Sequence, residues 1–78
     1  MDANFYFYFR DESAAREGAA RLEREGLTVD VHPGADGASW LALGNTDLAD
    51  SAQLDEYEER FFRVAEELGA EYDGYDRG

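Results

Sequence analysis

The feature that most constrains the fold is a run of five aromatic residues near the start of the chain, in the stretch NFYFYFR at residues 4–10. Successive side chains of a β-strand point to opposite faces of the sheet. A strand here therefore presents Phe5, Phe7 and Phe9 on one face and Tyr6 and Tyr8 on the other. The phenylalanine face must be covered by other elements, and the role of the tyrosine face depends on what lies against it.

The length of the chain, residues 1–78, predicts one small domain. A chain of this size buries only about 60% of the surface that its unfolded form exposes. It contains no cysteine, so no disulfide stabilises it, and its five Phe, five Tyr and one Trp must supply most of the core. It has no apolar stretch of about 20 residues and no basic leader, which predicts a cytoplasmic protein without a membrane segment.

Charge narrows the range of partners. The chain has 19 Asp and Glu residues against seven basic ones, and its formal net charge is −12. Such a charge repels nucleic-acid phosphates and anionic membranes, so neither is an expected partner. The acidity has two explanations, a surface that selects its partners and an adaptation to molar salt. We favour the halophilic explanation, because at about 1 M salt charges are screened over about 3 Å.

The first helix is predicted in the segment RDESAAREGAARLEREG. It runs from about Glu12 to Glu25, with Asp11 or Ser13 as its N-cap and Gly26 as a left-handed stop. The buried stripe of this helix is predicted to consist of Ala15, Ala19 and Leu22.

The second helix is predicted to begin at Asp50 or Ser51 and to end at Gly69, with Gln53 in the position of a capping box. Its inner face is predicted to comprise Leu54, Tyr57 or Glu58, Phe61, Val64, Ala65 and Leu68, widened by Phe62.

Three further segments have the pattern of strands. LTVDVH and SWLALG alternate around the turn-rich PGADGAS and predict a hairpin, and AEYDGYDRG predicts a short last strand bent at Gly74. The order strand, helix, strand, strand, helix, strand predicts an α+β, ferredoxin-like βαββαβ sandwich. In that fold an antiparallel sheet has both helices on one face.

This topology assigns each strand residue to a covered or an open face. The covered face is predicted to hold Phe5, Phe7, Phe9, Leu27, Val29, Val31, Leu41 and Leu43. The open face is predicted to hold Tyr6, Tyr8, Thr28, Asp30, His32, Trp40 and Ala42, with one of Tyr72 and Tyr75. An open face with four large rings fits a contact with a protein partner or with a second copy of the chain. Rings that only stiffen the sheet, or that stack on single-stranded RNA, are the alternatives.

The end of the chain carries a resemblance. EYDGYD, together with the aromatic first strand, the alanine-rich helix ending at Gly26 and a Trp-containing third strand, resembles the family of the regulator of ribonuclease activity B, the ribonuclease E inhibitor RraB. That family resembles a ferredoxin-like domain that often ends in Tyr-Asp-Gly-Trp. Tyr72, Asp73 and Gly74 match this motif, and Tyr75 replaces the tryptophan.

The resemblance implies a non-catalytic regulator that binds an RNA-degrading enzyme and modulates it, with no cofactor or metal. The residues expected to contact the partner are Tyr6, Tyr8, Trp40, Tyr72, Asp73, Gly74 and Tyr75. From its residue types alone, Asp73-Gly74 also suits a turn or bulge.

Enzymatic hypotheses have less support from the sequence than the regulatory one. Arg10 and Asn45 stand roughly where an acylphosphatase places its arginine and asparagine, but RDES after the first strand is acidic and unsuited to phosphate. His32 with Asp30 suggests a triad with Ser39, yet GAS is no nucleophile elbow. His32 with Asp30 and Asp36 suggests a weak site for a divalent ion, for which three ligands in a turn are thin evidence.

If the carboxylate surplus is a salt adaptation, the melting temperature should rise steeply between low salt and molar potassium chloride, because screening removes the repulsion between carboxylates. Circular dichroism across a series of salt concentrations measures this. A flat response would leave partner selection as the explanation of the acidity.

Overall fold

The chain forms four strands and two helices in the predicted order. In the computed structural model, which describes residues 1–77, these are β1 (Asp2–Phe9), α1 (Glu12–Arg24), β2 (Thr28–Pro33), β3 (Trp40–Asp47), α2 (Ser51–Leu68) and β4 (Glu71–Arg77). The strands make one antiparallel sheet in the order β2-β3-β1-β4, and both helices pack on the same face. The predicted α+β, ferredoxin-like arrangement is confirmed. Neither helix of residues 1–77 is long and apolar enough to span a membrane.

The core forms around the phenylalanine face of β1. Phe5 and Phe7 are fully buried and Phe9 is nearly so. The ring of Phe61, on α2, stands edge-on to both Phe5 and Phe7, with centroid separations of 4.9 and 5.7 Å. Such pairs add about 0.5–1.5 kcal/mol to what burial alone supplies. Leu22 and Ala15 of α1 complete this layer, as their spacing predicts.

Both helices begin at the first of the two predicted caps. Asp11 Oδ1 accepts a hydrogen bond from the Ala14 amide at 2.8 Å, and Asp50 Oδ1 accepts one from the Gln53 amide at 3.0 Å. Each cap contributes about 1 kcal/mol to the stability of its helix. Gly69 ends α2 in the left-handed conformation with φ 68°, also as predicted.

An ionic bridge joins the C-terminal part of α1 to α2. Arg60 Nη2 donates to the Glu25 carbonyl at 3.1 Å, and Arg60 Nε lies 3.2 Å from Glu25 Oε1 in an ion pair without hydrogen-bond geometry. Arg21 contacts Glu25 at 3.3 Å and Glu67 at 2.8 Å. These contacts hold the two helices side by side over the sheet.

The side chains of β3 lie on the faces opposite to those predicted. Val31 pairs with Ala42, and Ala42 also pairs with Phe7, so these three side chains share the covered face. Trp40, two residues before Ala42, lies on that face as well and packs against the core. The placement of Trp40 and Ala42 on the open face was therefore wrong.

The same register brings Leu41 and Leu43 to the open face, which corrects their predicted position under the helices. The reason is that the covered face takes the two smallest side chains of β3: Gly44 and Ala42 lie opposite the fully buried rings of Phe5 and Phe7. A Cβ atom at Gly44 would stand only 2.5 Å from a methyl group of the buried Leu27.

A bulge in β4 turns two tyrosines to the covered face. Phe5 pairs with Tyr75 and Phe7 with Tyr72, so two steps along β1 correspond to three along β4. Gly74, with φ 93°, takes up the extra residue. The bend at Gly74 is confirmed, but the expectation that Tyr72 or Tyr75 joins the open face was wrong.

Phe62 does not widen the buried face of α2. Its side chain is 55% exposed, and its ring stands edge-on to Tyr72 at 5.1 Å. The half-exposed Phe62 and Tyr75 thus form an aromatic margin along α2 and β4, on the covered side of the sheet.

Gly18→Ala should destabilise the domain by about 1 kcal/mol or more, since the new methyl group would collide with the packed ring of Phe9. Helix propensity alone predicts the opposite, a gain of about 1 kcal/mol. Urea unfolding distinguishes the two. Glu17→Ala, on the exposed side of α1, is the control and should change stability by less than about 0.5 kcal/mol. A stabilised Gly18→Ala would contradict the close approach of α1 to β1.

Candidate functional site

The candidate site is the side of the sheet that no helix covers, which we call the open face. Alternate positions of all four strands supply its side chains, which are Asp2, Asn4, Tyr6, Tyr8, Thr28, Asp30, His32, Leu41, Leu43, Asn45, Asp47, Glu71 and Asp76. The predicted placement of Tyr6, Tyr8 and the three β2 residues is confirmed. No lysine or arginine is among these strand residues.

An apolar centre crosses the two middle strands. Tyr6 lies directly opposite Leu43, and Tyr8 directly opposite Leu41. All four side chains are half-buried. Cross-strand pairs of this kind stabilise a sheet by about 0.2–1 kcal/mol each, and they also leave apolar surface facing solvent.

One end of the open face is a hydrogen-bonded polar chain. The Tyr6 hydroxyl donates to Asp76 Oδ2 at 2.7 Å, and Asn4 Nδ2 donates to Asp76 Oδ1 at 3.1 Å. Asn45 Nδ2 in turn donates to Asn4 Oδ1 at 2.8 Å and to Asp2 Oδ1 at 3.1 Å. This chain links β4, β1 and β3 and holds the Tyr6 ring in place.

The pKa values at this end keep the charges fixed. The hydrogen bond to Asp76 raises the pKa of the Tyr6 hydroxyl, and the hydrogen bonds from Tyr6 and then Asn4 lower the pKa of the Asp76 carboxyl. Asp76 therefore remains an anion, and Tyr6 remains a neutral donor, over the whole physiological range.

The other end of the open face contains a hollow of about 320 Å³. Its lining consists of Tyr8, Ala35, Asp36, Ser39, Glu71 and Asp73. Asp36 Oδ1 accepts hydrogen bonds from the Ser39 and Ala38 amides, both at 2.9 Å, and from Ser39 Oγ at 3.0 Å. These bonds, with the Ser39 amide first, lower the pKa of the Asp36 carboxyl. The hollow thus combines an aromatic ring with three carboxylates.

The residues predicted for partner contact do not form one surface. Tyr6 and Tyr8 lie on the open face, and Asp73 lines the hollow. Tyr72 and Tyr75 lie on the covered side, with ring centroids 5.1 Å from Phe7 and 6.3 Å from Phe5, respectively. Trp40 packs against the core and Gly74 shapes the bulge. The sequence analysis did not assign Leu41, Leu43, Asp36 or Glu71 to the contact surface.

Burial accounts for the behaviour of Tyr72. Its side chain is half-buried between Phe7 and Phe62, and its hydroxyl lies 3.5 Å from Glu58 Oε1. Burial, and then the charge of Glu58, raise the pKa of the Tyr72 hydroxyl well above its usual range. Tyr72 is thus a packing residue with a polar tip.

The residues that the acylphosphatase, triad and metal-site hypotheses require do not lie together in the structure. Arg10 follows the last residue of β1, whereas Asn45 pairs with Asn4 near its start. These positions are six residues of β1 apart, which corresponds to roughly 20 Å. The Ser39 hydroxyl donates to Asp36 and not to His32. Among residues 1–77, no three carboxylate or imidazole groups come close enough to share a metal ion.

The fold and the open face define a small α+β domain with one covered and one open sheet face. The chain matches the family model of RraB, the regulator of ribonuclease activity B, over residues 1–76, and it belongs to that family. The predicted resemblance to this family is confirmed, and the family connects the chain with the regulation of ribonuclease activity. No curated protein and no solved structure matches the chain.

Gly74→Ala should lower the free energy of unfolding by about 1 kcal/mol, because a Cβ atom is strained at a positive φ even though no atom stands in its way. Urea unfolding gives this value. Asp73→Ala, one position earlier in the same exposed bulge, is the control, with an expected change below about 0.5 kcal/mol. Equal stability of the wild type and Gly74→Ala would show that the bulge relaxes without cost.

Proposed function

We propose that the domain regulates an RNA-degrading enzyme by binding it directly, that it catalyses no reaction itself, and that the open face makes the contact. Family membership supports the first part of the proposal. The observation that carries the last part is the apolar centre of Tyr6, Tyr8, Leu41 and Leu43 on a sheet face that no element of residues 1–77 covers.

The composition of the open face fits an interface with a protein. Protein interfaces have an apolar, often tyrosine-rich core inside a polar rim. Here the two tyrosine–leucine pairs form the core, and the Asn4–Asp76 end and the Asp36 hollow form the rim. The hydrogen bond from Tyr6 to Asp76 fixes one ring in advance, which reduces the entropy lost on binding.

The same composition disfavours single-stranded RNA as the ligand. Modules that stack bases on a sheet surround their aromatic rings with basic side chains. On the open face the rings are flanked by Asp76 at one end and by Asp36, Glu71 and Asp73 at the other. Phosphates would therefore meet negative charge at both ends of the two tyrosines.

The proposal is tested with a purified RNA-degrading enzyme from the source cell and a fluorescent RNA substrate. The wild-type domain should change the initial cleavage rate, and a Tyr6→Ala, Tyr8→Ala double variant should need at least about tenfold more protein for the same effect, as interface tyrosines often contribute more than 1.4 kcal/mol. Phe62→Ala, which removes an exposed ring from the covered side, should act like the wild type.

Two outcomes would contradict the proposal. If the wild-type domain leaves cleavage unchanged, the regulatory function is wrong. If the double variant is folded by circular dichroism and regulates as well as the wild type, the open face is not the contact surface. Because Tyr6 also holds Asp76, Tyr8→Ala alone serves as a second variant that leaves that hydrogen bond intact.

A further inference from the structure

The charges of this chain are unevenly distributed between its two sides. Five of the seven arginines lie on the helices, where Arg16 pairs with Glu12 at 2.7 Å and Arg21 with Glu67 at 2.8 Å. Arg10 follows β1 and lies 3.6 Å from Asp11, and Arg77 pairs with Ala3 on the covered side. Within residues 1–77, the strand residues of the open face include no arginine or lysine, and the amino terminus lies 3.0 Å from Asp47.

Within residues 1–77, carboxylates that form no ion pair stand at both ends of the apolar centre, and Asp30 stands beside it, opposite Leu43. Asp76 is opposite Asn4, and Glu71, with the rest of the hollow, is opposite Tyr8. These two positions on β1 are four residues apart, which corresponds to about 13 Å. The open face is therefore a sheet surface of about four residues in length, apolar in the middle and anionic at each end.

The spacing of the carboxylates indicates which kind of ligand the open face can bind. They are too far apart to share one metal ion. A second copy of this chain would bring its own carboxylates against them, because its net charge is also −12. A polypeptide carrying cationic side chains about 13 Å apart, with apolar side chains between them, complements both the charge and the apolar centre.

The hollow favours arginine as the cationic residue. A guanidinium stacks on an aromatic ring and pairs with a carboxylate through two parallel hydrogen bonds, whereas the ammonium of lysine acts as a point charge. Beside the Tyr8 ring, Glu71 and Asp73 are both exposed carboxylates, and Asp36 is held ionised by its loop. The volume of about 320 Å³ accommodates such a side chain.

We propose that the open face binds an arginine-bearing segment of the partner protein, with one arginine in the hollow beside Tyr8, a second cationic group at Asp76, and apolar side chains over Leu41 and Leu43. This inference rests on the proposed function, because it names the chemistry of the segment through which the regulated enzyme is held.

The test uses a fluorescein-labelled twelve-residue peptide that repeats Arg-Ser-Leu-Ser, so that in an extended chain arginines four residues apart share one face with leucines between them. In a second peptide, glutamine replaces every arginine. Fluorescence anisotropy is recorded with the full chain, starting at the lowest potassium chloride concentration at which it is folded. The arginine peptide should bind and the glutamine peptide should not. Added salt should weaken the binding progressively.

Matched variants separate the open face from the general negative charge of the chain. Glu71→Gln with Asp73→Asn removes two carboxylates from the hollow and should raise the Kd of the arginine peptide at least about tenfold. Glu59→Gln with Glu66→Gln removes two exposed carboxylates from α2 and should change it less than about twofold. The inference would be overturned if both double variants raised the Kd of the arginine peptide equally, or if the wild-type chain did not bind this peptide.

The peptide and ribonuclease experiments fail independently. If the peptide does not bind but the wild-type domain still alters RNA cleavage in a manner that depends on Tyr6 and Tyr8, the proposed function stands and the arginine segment is wrong. If the peptide binds the open face but cleavage is unaffected, the proposed function is wrong and the cationic preference remains.

Discussion

The contact of Phe61 with both Phe5 and Phe7 is the interaction on which the rest of the structure depends. It holds α2 over the middle of the sheet, and on the neighbouring strand the small residues Ala42 and Gly44 lie opposite Phe7 and Phe5. Because side chains alternate along a strand, burying the phenylalanines forces the intervening tyrosines to the other side. The surface proposed for binding is therefore a direct consequence of how the core is packed.

The sequence alone was sufficient for features that depend on local chemistry, such as the element order, the caps and the faces of β1 and β2. It was insufficient for β3, because WLALG is apolar at both alternate sets of positions and its periodicity does not choose between them. The observed register of the hairpin gives the answer: Pro33 pairs with Trp40, so odd positions of β2 lie opposite even positions of β3. For Tyr72 and Tyr75, the extra residue at Gly74 changes the alternation.

The candidate site was predictable to the same extent. Tyr6 and Tyr8 share a strand with the core, so their exposure followed from local pattern. The hollow joins Asp36, in the β2–β3 loop, to Glu71 and Asp73 of β4, and only the tertiary fold brings these segments together. One sequence feature does indicate the uneven charge. No arginine or lysine occurs between Arg24 and Arg60, and this stretch includes β2, β3 and their loop.

The bulge of β4 has an effect on self-association. An open sheet has two edges whose free amides and carbonyls can template a neighbouring strand, and here these edges are β2 and β4. The left-handed Gly74 interrupts the regular spacing of those groups along β4, while β2 ends in Pro33, which has no amide hydrogen. Neither edge offers a long continuous ladder, which disfavours the edge-to-edge joining of sheets into fibrils.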